Sequence, residues 1–131
     1  MTQEEKDLLL KDLCARLPYG VRVCYKIHLE NEPIDVTLSG LLLDYFNNKT
    51  VVEIKPYLRP MSSMSEEEYE SIKYRYSFYG DSILHISEMF TCGEVTDWLN
   101  ANHFDYRGLI EKGLALEAPE GMYNTKTKKY D

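Results

Sequence analysis

The first seventeen residues repeat their apolar positions with a helical period. Leucines recur at three- and four-residue steps, the spacing of one face of an amphipathic helix: Leu9, Leu10, Leu13 and Leu17. Thr2 and Glu5 stand ahead of this run in the arrangement of a capping box, and Pro18 disfavours helical geometry at the residue before it. The pattern predicts an N-terminal helix that ends near Leu17.

From residue 21 the helical period gives way to a period of two, which is typical of half-buried strands. The predicted strands and turns follow in chain order: strand 21–29, turn 30–33, strand 34–38, strand 41–46, turn 47–49 and strand 50–54. Ser39 and Gly40 bend the second strand or end it, so that 41–46 continues it or opens another. Pro56 and Pro60 limit any extension of the last strand to a sheet edge or a strand end. Residues 18–58 therefore predict an antiparallel meander.

The second half of the chain returns to a helical period. Ser65 and Glu68 form a second capping box, which predicts a helix to about Arg75, while residues 76–80 fit a helix or a strand. Three further elements are predicted: a helix at 94–101, a helix at 106–112, and a short strand or buried extended end at 114–116. From residue 118 the chain is polar and aperiodic, which predicts a frayed tail over 118–131.

Together these elements predict a single domain over residues 1–131 in the α+β class. It would combine an N-terminal helix, a small antiparallel β-meander, and a helical C-terminal half that covers one face of the sheet. A small barrel, formed if the short strands curl, is the alternative.

The net charge of −7 is distributed unevenly along the chain. Residues 1–60 carry −1, residues 61–120 carry −8, and the last eleven residues carry +2. Phosphate backbones are bound largely by Lys and Arg, so a nucleic acid would have to contact the first 60 residues or the tail. A sheet face with Arg22, Lys26 and His28, extended by Lys55 and Arg59, is the candidate basic surface.

Composition weighs against several classes of protein. The longest aliphatic runs are three residues, far short of the roughly 20 needed to span a membrane, and the acidic N-terminus does not resemble a secretory signal. The three cysteines have no paired spacing, which predicts a reducing, cytoplasmic setting without a zinc site. The chain has no Gly-rich phosphate loop, and we expect neither a metal nor a cofactor.

Chemistry-bearing side chains crowd most closely between residues 98 and 107. An indole, an imidazole, a carboxylate, a phenol and a guanidinium lie within ten residues there, and such residue types dominate interface hot spots. Two tyrosines from the acidic half join them as candidate partner-binding residues: Trp98, His103, Asp105, Tyr106, Arg107, Tyr76 and Tyr79. The competing interpretation is a structural corner whose core includes Phe104 and in which Asp105 accepts the N–H of Arg107 or Gly108.

Two stretches, 54–64 and 97–114, are distinctive as strings and cover about a quarter of the chain. They resemble a family of small proteins encoded in gut Bacteroides-type bacteria, often in phage or prophage regions. The resemblance implies a bacterial or phage cytosolic protein, and it implies no activity.

The leading expectation is a non-enzymatic protein-interaction module, a phage or mobile-element accessory protein with a protein partner. It rests on absent catalytic motifs, uneven acidity, aromatic enrichment and the resemblance. One alternative is a nucleic-acid-binding accessory protein that uses the sheet face and the basic tail. The other is a small His/carboxylate-dependent enzyme. A metal site would require His28, His85, His103 and carboxylates to converge in space.

Overall fold

The computed structural model describes residues 1–76 and 93–123. The predicted N-terminal helix is present as α1, Gln3–Arg16. Its capping box is complete: Thr2 Oγ1 accepts the Glu5 N–H at 3.1 Å, and Glu5 Oε1 accepts the Thr2 N–H at 2.8 Å. The chain leaves α1 through a 3-10 turn, Leu17–Tyr19, and Gly20 then takes the left-handed conformation at φ 71°.

In the described part of the chain, four strands form one mixed, open sheet: β1 Arg22–Lys26, β2 Ile34–Thr37, β3 Glu53–Leu58 and β4 Leu116–Glu117. Their spatial order is β2-β1-β3-β4. β1 is antiparallel to both β2 and β3, and β4 is parallel to β3. The α+β class is confirmed, whereas the barrel alternative is wrong for the described residues because their sheet does not close.

The predicted strand at 41–46 is wrong, because these residues form α2, Gly40–Asn47. The Ser39 hydroxyl accepts the Leu42 N–H at 3.2 Å and starts the helix, and Leu42 and Phe46 lie one turn apart on its buried face. The run of three leucines, 41–43, was compatible with the period of a helix and with that of a strand. The meander is wrong for the same reason: α2 links β2 to β3 across β1, so these two strands run parallel in a split β-α-β unit.

Pro56 does not end β3, which continues to Leu58 in the interior of the sheet. Val23↔Pro56 is the last pair with β1, and the next residue, Tyr57, pairs with Leu116 on β4. The missing N–H of proline therefore falls where β3 changes its partner strand.

Two of the three helices predicted in the second half are present, as α3, Glu66–Tyr76, and α4, Gly93–Ala101. The third, at 106–112, is wrong: this segment is a series of turns, in which Gly108 has φ 73°. The extended end predicted at 114–116 leads into β4. The undecided residues 77–80 lie outside the described part of the chain, as does His85.

α1 and α2 cover one face of the sheet and enclose the main core. Its fully buried members include Leu9 and Leu13 of α1 with Val23 and Ile54 of the sheet. A second cluster lies beneath α3 and α4: Met64, Tyr69, Val95, Leu99 and Phe104. No helix in residues 1–76 and 93–123 is long and apolar enough to cross a membrane.

Candidate functional site

A buried ionic network joins α1 to residues 98–107, which comprise the end of α4 and the turn that follows it and are called the corner below. Asp12 is fully buried, and its Oδ2 accepts from Nε of Arg16 at 2.8 Å while its Oδ1 accepts from Nε of Arg107 at 3.0 Å. Arg16 is also fully buried and donates from Nη2 to the Phe104 carbonyl at 2.6 Å. Two guanidinium groups from distant parts of the chain therefore share one carboxylate, so that each of them has an anionic partner.

Tyr106 completes this network on the side of the corner. The Cζ atoms of Arg16 and Arg107 lie 5.3 and 4.9 Å from the centre of its ring, within the range of cation–π attraction. Arg107 also donates from Nη2 to the Tyr106 hydroxyl at 3.0 Å. The corner therefore uses its phenol and its guanidinium to bind α1.

Sequence reasoning missed Asp12 and Arg16, although a signal was present. The buried stripe of α1 contains Leu9, Asp12, Leu13 and Arg16. The acid and the base lie four residues apart, on the same helix face as the two leucines. An ionic pair inside an apolar stripe predicts a buried pair that needs a further partner.

Asp105 is buried and accepts backbone N–H groups, as the structural interpretation of the corner expected, but there is no helix for it to cap and it binds different amides. Its two carboxylate oxygens accept the N–H groups of Leu109 and Ile110, at 2.8 and 3.0 Å, rather than those of Arg107 or Gly108. The reason is that 106–112 does not form a helix, so the amides that turn towards Asp105 lie farther along the chain.

His103 holds the end of the described chain against the sheet. It has φ 65°, is 4% exposed, and stacks on the Tyr123 ring with centroids 3.7 Å apart. The Tyr123 hydroxyl accepts the Arg22 N–H at 2.8 Å and donates to the Tyr57 carbonyl at 2.7 Å, which ties β1 to β3. Burial raises the pKa of Tyr123 to about 12, although the hydrogen bond from the Arg22 amide acts in the opposite direction.

The first residues of the predicted tail thus belong to the packed structure. The Ala118 N–H donates to the Leu58 carbonyl at 2.8 Å, and Tyr123 makes the contacts described above. Any frayed tail therefore begins beyond Tyr123, and residues 124–131 lie outside the described part of the chain.

Trp98 is half-buried and stacks on Phe104, with ring centroids 5.8 Å apart. The Arg59 Cζ lies 4.1 Å from the centre of the Phe104 ring. The two Nη atoms of Arg59 donate to the two carboxylate oxygens of Glu68, at 2.7 and 2.8 Å. Burial raises the pKa of Glu68, but hydrogen bonds from Arg59 and Ser65 outweigh it and hold the pKa below its usual range. Arg59 therefore belongs to an internal ion pair, not to a basic surface.

The structure brings five of the seven candidate residues into or beside one corner, from Trp98 to Arg107. Tyr76 is the last residue of α3, and Tyr79 lies outside the described residues. Asp105, Tyr106 and Arg107 make internal hydrogen bonds, and partner binding by the corner stays a prediction. No group of three or more His, Cys, Asp or Glu side chains among the described residues could hold a metal ion.

The face of the sheet opposite α1 and α2, called the open face below, is mixed in charge rather than basic. Strand alternation places the basic members Arg22, Lys26 and Lys55 on this face together with Asp35 and Glu53. His28 lies in the turn that follows β1 and is exposed.

A polar cluster crosses the open face between β2 and β3. The Tyr57 hydroxyl donates to Asp35 Oδ1 at 2.9 Å, and burial together with this carboxylate raises the Tyr57 pKa to about 12. Burial and Asp35 also raise the pKa of the Cys24 thiol, which opposes formation of a nucleophilic thiolate.

The outer edge of β2 is the feature that the internal contacts do not use. In residues 1–76 and 93–123 no strand pairs with this edge. Large apolar side chains are exposed at the same end of the sheet: Ile27 is 40% exposed, Leu29 71%, Ile34 43% and Val52 43%. Sequence reasoning missed this surface, because the meander that it predicted would have placed β2 inside the sheet.

No family model, curated protein or solved structure matches the chain. Its function must therefore follow from the geometry of the described residues, in which the corner is turned inward and the β2 edge is open.

Proposed function

We propose that the protein is a non-enzymatic protein-interaction module that binds an extended protein segment along the outer edge of β2. The observation that carries this proposal is that no strand of residues 1–76 and 93–123 pairs with this edge. Such edges present a row of backbone donors and acceptors, and strand addition to them is a recurring mode of peptide recognition. The resemblance described above favours a bacterial or phage cytosol as the setting of this module.

The hydrogen-bond pattern identifies which backbone groups face outward. The Leu38 N–H donates to the Val21 carbonyl, so the pairs 21↔38, 23↔36 and 25↔34 are the hydrogen-bonded pairs with β1. The backbone N–H and C=O groups of Asp35 and Thr37 belong to the residues between these pairs and therefore point away from β1. An added strand would therefore bind the N–H and C=O of Asp35 and Thr37.

Apolar side chains beside the edge supply contact area for such a segment. Ile34 lies in β2 itself, and Ile27 and Leu29 follow β1 at the same end of the sheet. Main-chain hydrogen bonds give strand addition its affinity, and contacts with alternate side chains give it specificity. Exposed apolar side chains that adjoin an open edge are suited to both roles.

The two other expected functions receive less support from the described residues. The basic side chains of the open face alternate with acids, which reduces its attraction for phosphate backbones. The acidic and basic groups of the corner already bind one another or backbone amides. A module that acts through its backbone edge requires neither of these features.

The test compares Thr37→Pro with Thr37→Val. Proline removes the outward Thr37 N–H and leaves the inward bonds of residues 34, 36 and 38, whereas valine keeps the N–H and the shape. We expect the wild type and Thr37→Val to capture the same proteins from a lysate of the bacterial host, and Thr37→Pro to lose them. Hydrogen exchange on the purified complex should show protection of the Asp35 and Thr37 amides. Equal capture by all three proteins, with these amides unprotected, would refute the proposal.

A further inference from the structure

We infer that the segment added to β2 is β2 of a second copy of this chain, paired antiparallel about a two-fold axis that passes beside Val36. This inference rests on the proposed function, because it names the partner of the same edge. Its basis is self-complementarity: the edge carries the groups that it needs to bind itself, in one register out of three.

The backbone restricts the register. Two antiparallel edges bond only if outward-facing residues lie opposite each other, so Asp35 and Thr37 of one copy must face Asp35 and Thr37 of the other. Placing Asp35 opposite Asp35 brings two carboxylates together and sets Pro33, which has no N–H, opposite Thr37. Placing Thr37 opposite Thr37 requires the Ser39 carbonyl, which already accepts the Leu43 N–H at 3.1 Å.

The remaining register pairs Asp35 of each copy with Thr37 of the other, and uses four backbone hydrogen bonds between groups that no strand of residues 1–76 and 93–123 binds. Its side chains are also complementary on the open face. Arg22 Nη1 donates to Thr37 Oγ1 at 3.1 Å, so the guanidinium lies beside the position that Asp35 of the second copy would take. The Tyr57 bond occupies Oδ1 of that carboxylate, and symmetry forms the Arg22–Asp35 contact twice.

The opposite face of the paired strands would be apolar. Val36 would meet Val36 of the second copy at the axis, and Ile34 would lie opposite Leu38 of the second copy. Ile34 is 43% exposed in the single chain and would lose much of that exposure. The register that satisfies the charges thus also buries an exposed apolar side chain.

Charge reversal provides a sharp test, because each variant alone places like charges across the interface. With Arg22→Asp, residue 22 faces Asp35 of the other copy, and with Asp35→Arg, Arg22 faces an arginine. In an equimolar mixture of the two variants, both contacts become attractive. Sedimentation velocity should show a wild-type dimer at concentrations up to about 1 mM, a rise in Kd of at least about tenfold for each variant alone, and a heterodimer in the mixture.

Circular dichroism on each variant separates loss of pairing from loss of fold, and Thr37→Pro provides a second disruption that leaves both charges in place. A wild-type protein that stays monomeric would overturn the inference, as would variants that dimerise like the wild type. A third outcome separates the two proposals. If the wild type is monomeric, and the wild type and Thr37→Val capture proteins that Thr37→Pro does not, the second-copy inference fails and the proposed edge-binding function stands. If the wild type dimerises but neither Thr37→Pro nor the charge variants weaken the dimer, the edge is not its interface and the inference fails.

Discussion

Removal of the Asp12 carboxylate tests whether the buried network holds the two halves of the protein together. In Asp12→Ala, Arg16 stays fully buried but loses its 2.8 Å ion pair, and Arg107 loses its 3.0 Å contact across the fold. Among the described residues, Arg16 keeps the Phe104 carbonyl as an acceptor. Two guanidinium groups would then lie near each other without the anion that separates them.

The magnitude follows from burial. Breaking a buried pair by removing one partner costs about 3–5 kcal/mol, because the remaining charge is left uncompensated. A domain of this kind has a total stability of about 5–15 kcal/mol, so Asp12→Ala should remove a large fraction of it. The expected fall in Tm is about 10–20 °C.

The assay is urea unfolding followed by circular dichroism at neutral pH. The matched control is Asp7→Ala in the same helix, where exposed Asp7 accepts from Gln3 at 2.8 Å with the same four-residue spacing. This control should lose about 0.5 kcal/mol or less. Asp12→Asn, which keeps the side-chain volume and an acceptor oxygen, should fall between the two. If Asp12→Ala lost no more than Asp7→Ala, the network would contribute little and the argument from burial would be refuted.

Two further predictions concern groups whose pKa the fold shifts. Tyr123→Phe keeps the ring on His103 but leaves the Arg22 N–H and the Tyr57 carbonyl without the hydroxyl, so it should cost about 1–3 kcal/mol in urea unfolding. Because burial raises the Tyr123 pKa from 10.0 to about 12, the unfolded state ionises first, and the wild-type free energy of unfolding should fall from pH 10 to pH 12 more steeply than that of the variant. Parallel pH profiles would contradict this assignment. Glu68 has a lowered pKa, so its ionic form stabilises the fold above pH 4.5, and this stabilisation is lost as the pH falls below that value. The free energy of unfolding should therefore fall less with acid in Glu68→Gln than in the wild type. An equal fall in both proteins would count against the Arg59–Glu68 pair.

Local signals in the sequence located most of the helices. The capping boxes at Thr2 and Ser65 predicted where α1 and α3 begin, because a cap depends on side chains only three residues away. The segment 41–46 lacked such a decisive signal: its apolar run suits either period, and the Ser39 cap became visible only in three dimensions. The helix predicted at 106–112 is wrong because Gly108 has φ 73°, a left-handed conformation that interrupts an α-helix.

The candidate corner shows the same division. The residue types of the corner, including an aspartate that accepts backbone N–H groups, could be recognised from the sequence, but the particular groups that they contact could not. Arg107 binds a carboxylate 95 residues away, and the Tyr123 hydroxyl binds a carbonyl 66 residues away. No local pattern encodes contacts of that separation.

The sequence by itself determined the α+β class, the first helix and the uneven charge, since these follow from periodicity, caps and composition. Only the tertiary structure decided the order β2-β1-β3-β4, the burial of the Asp12 network and the exposure of the β2 edge. The reason is physical: strand order and buried ion pairs depend on which distant surfaces pack together. Because residues 41–46 form a helix rather than the predicted strand, β2 lies at the edge of the sheet and not in the interior of a meander.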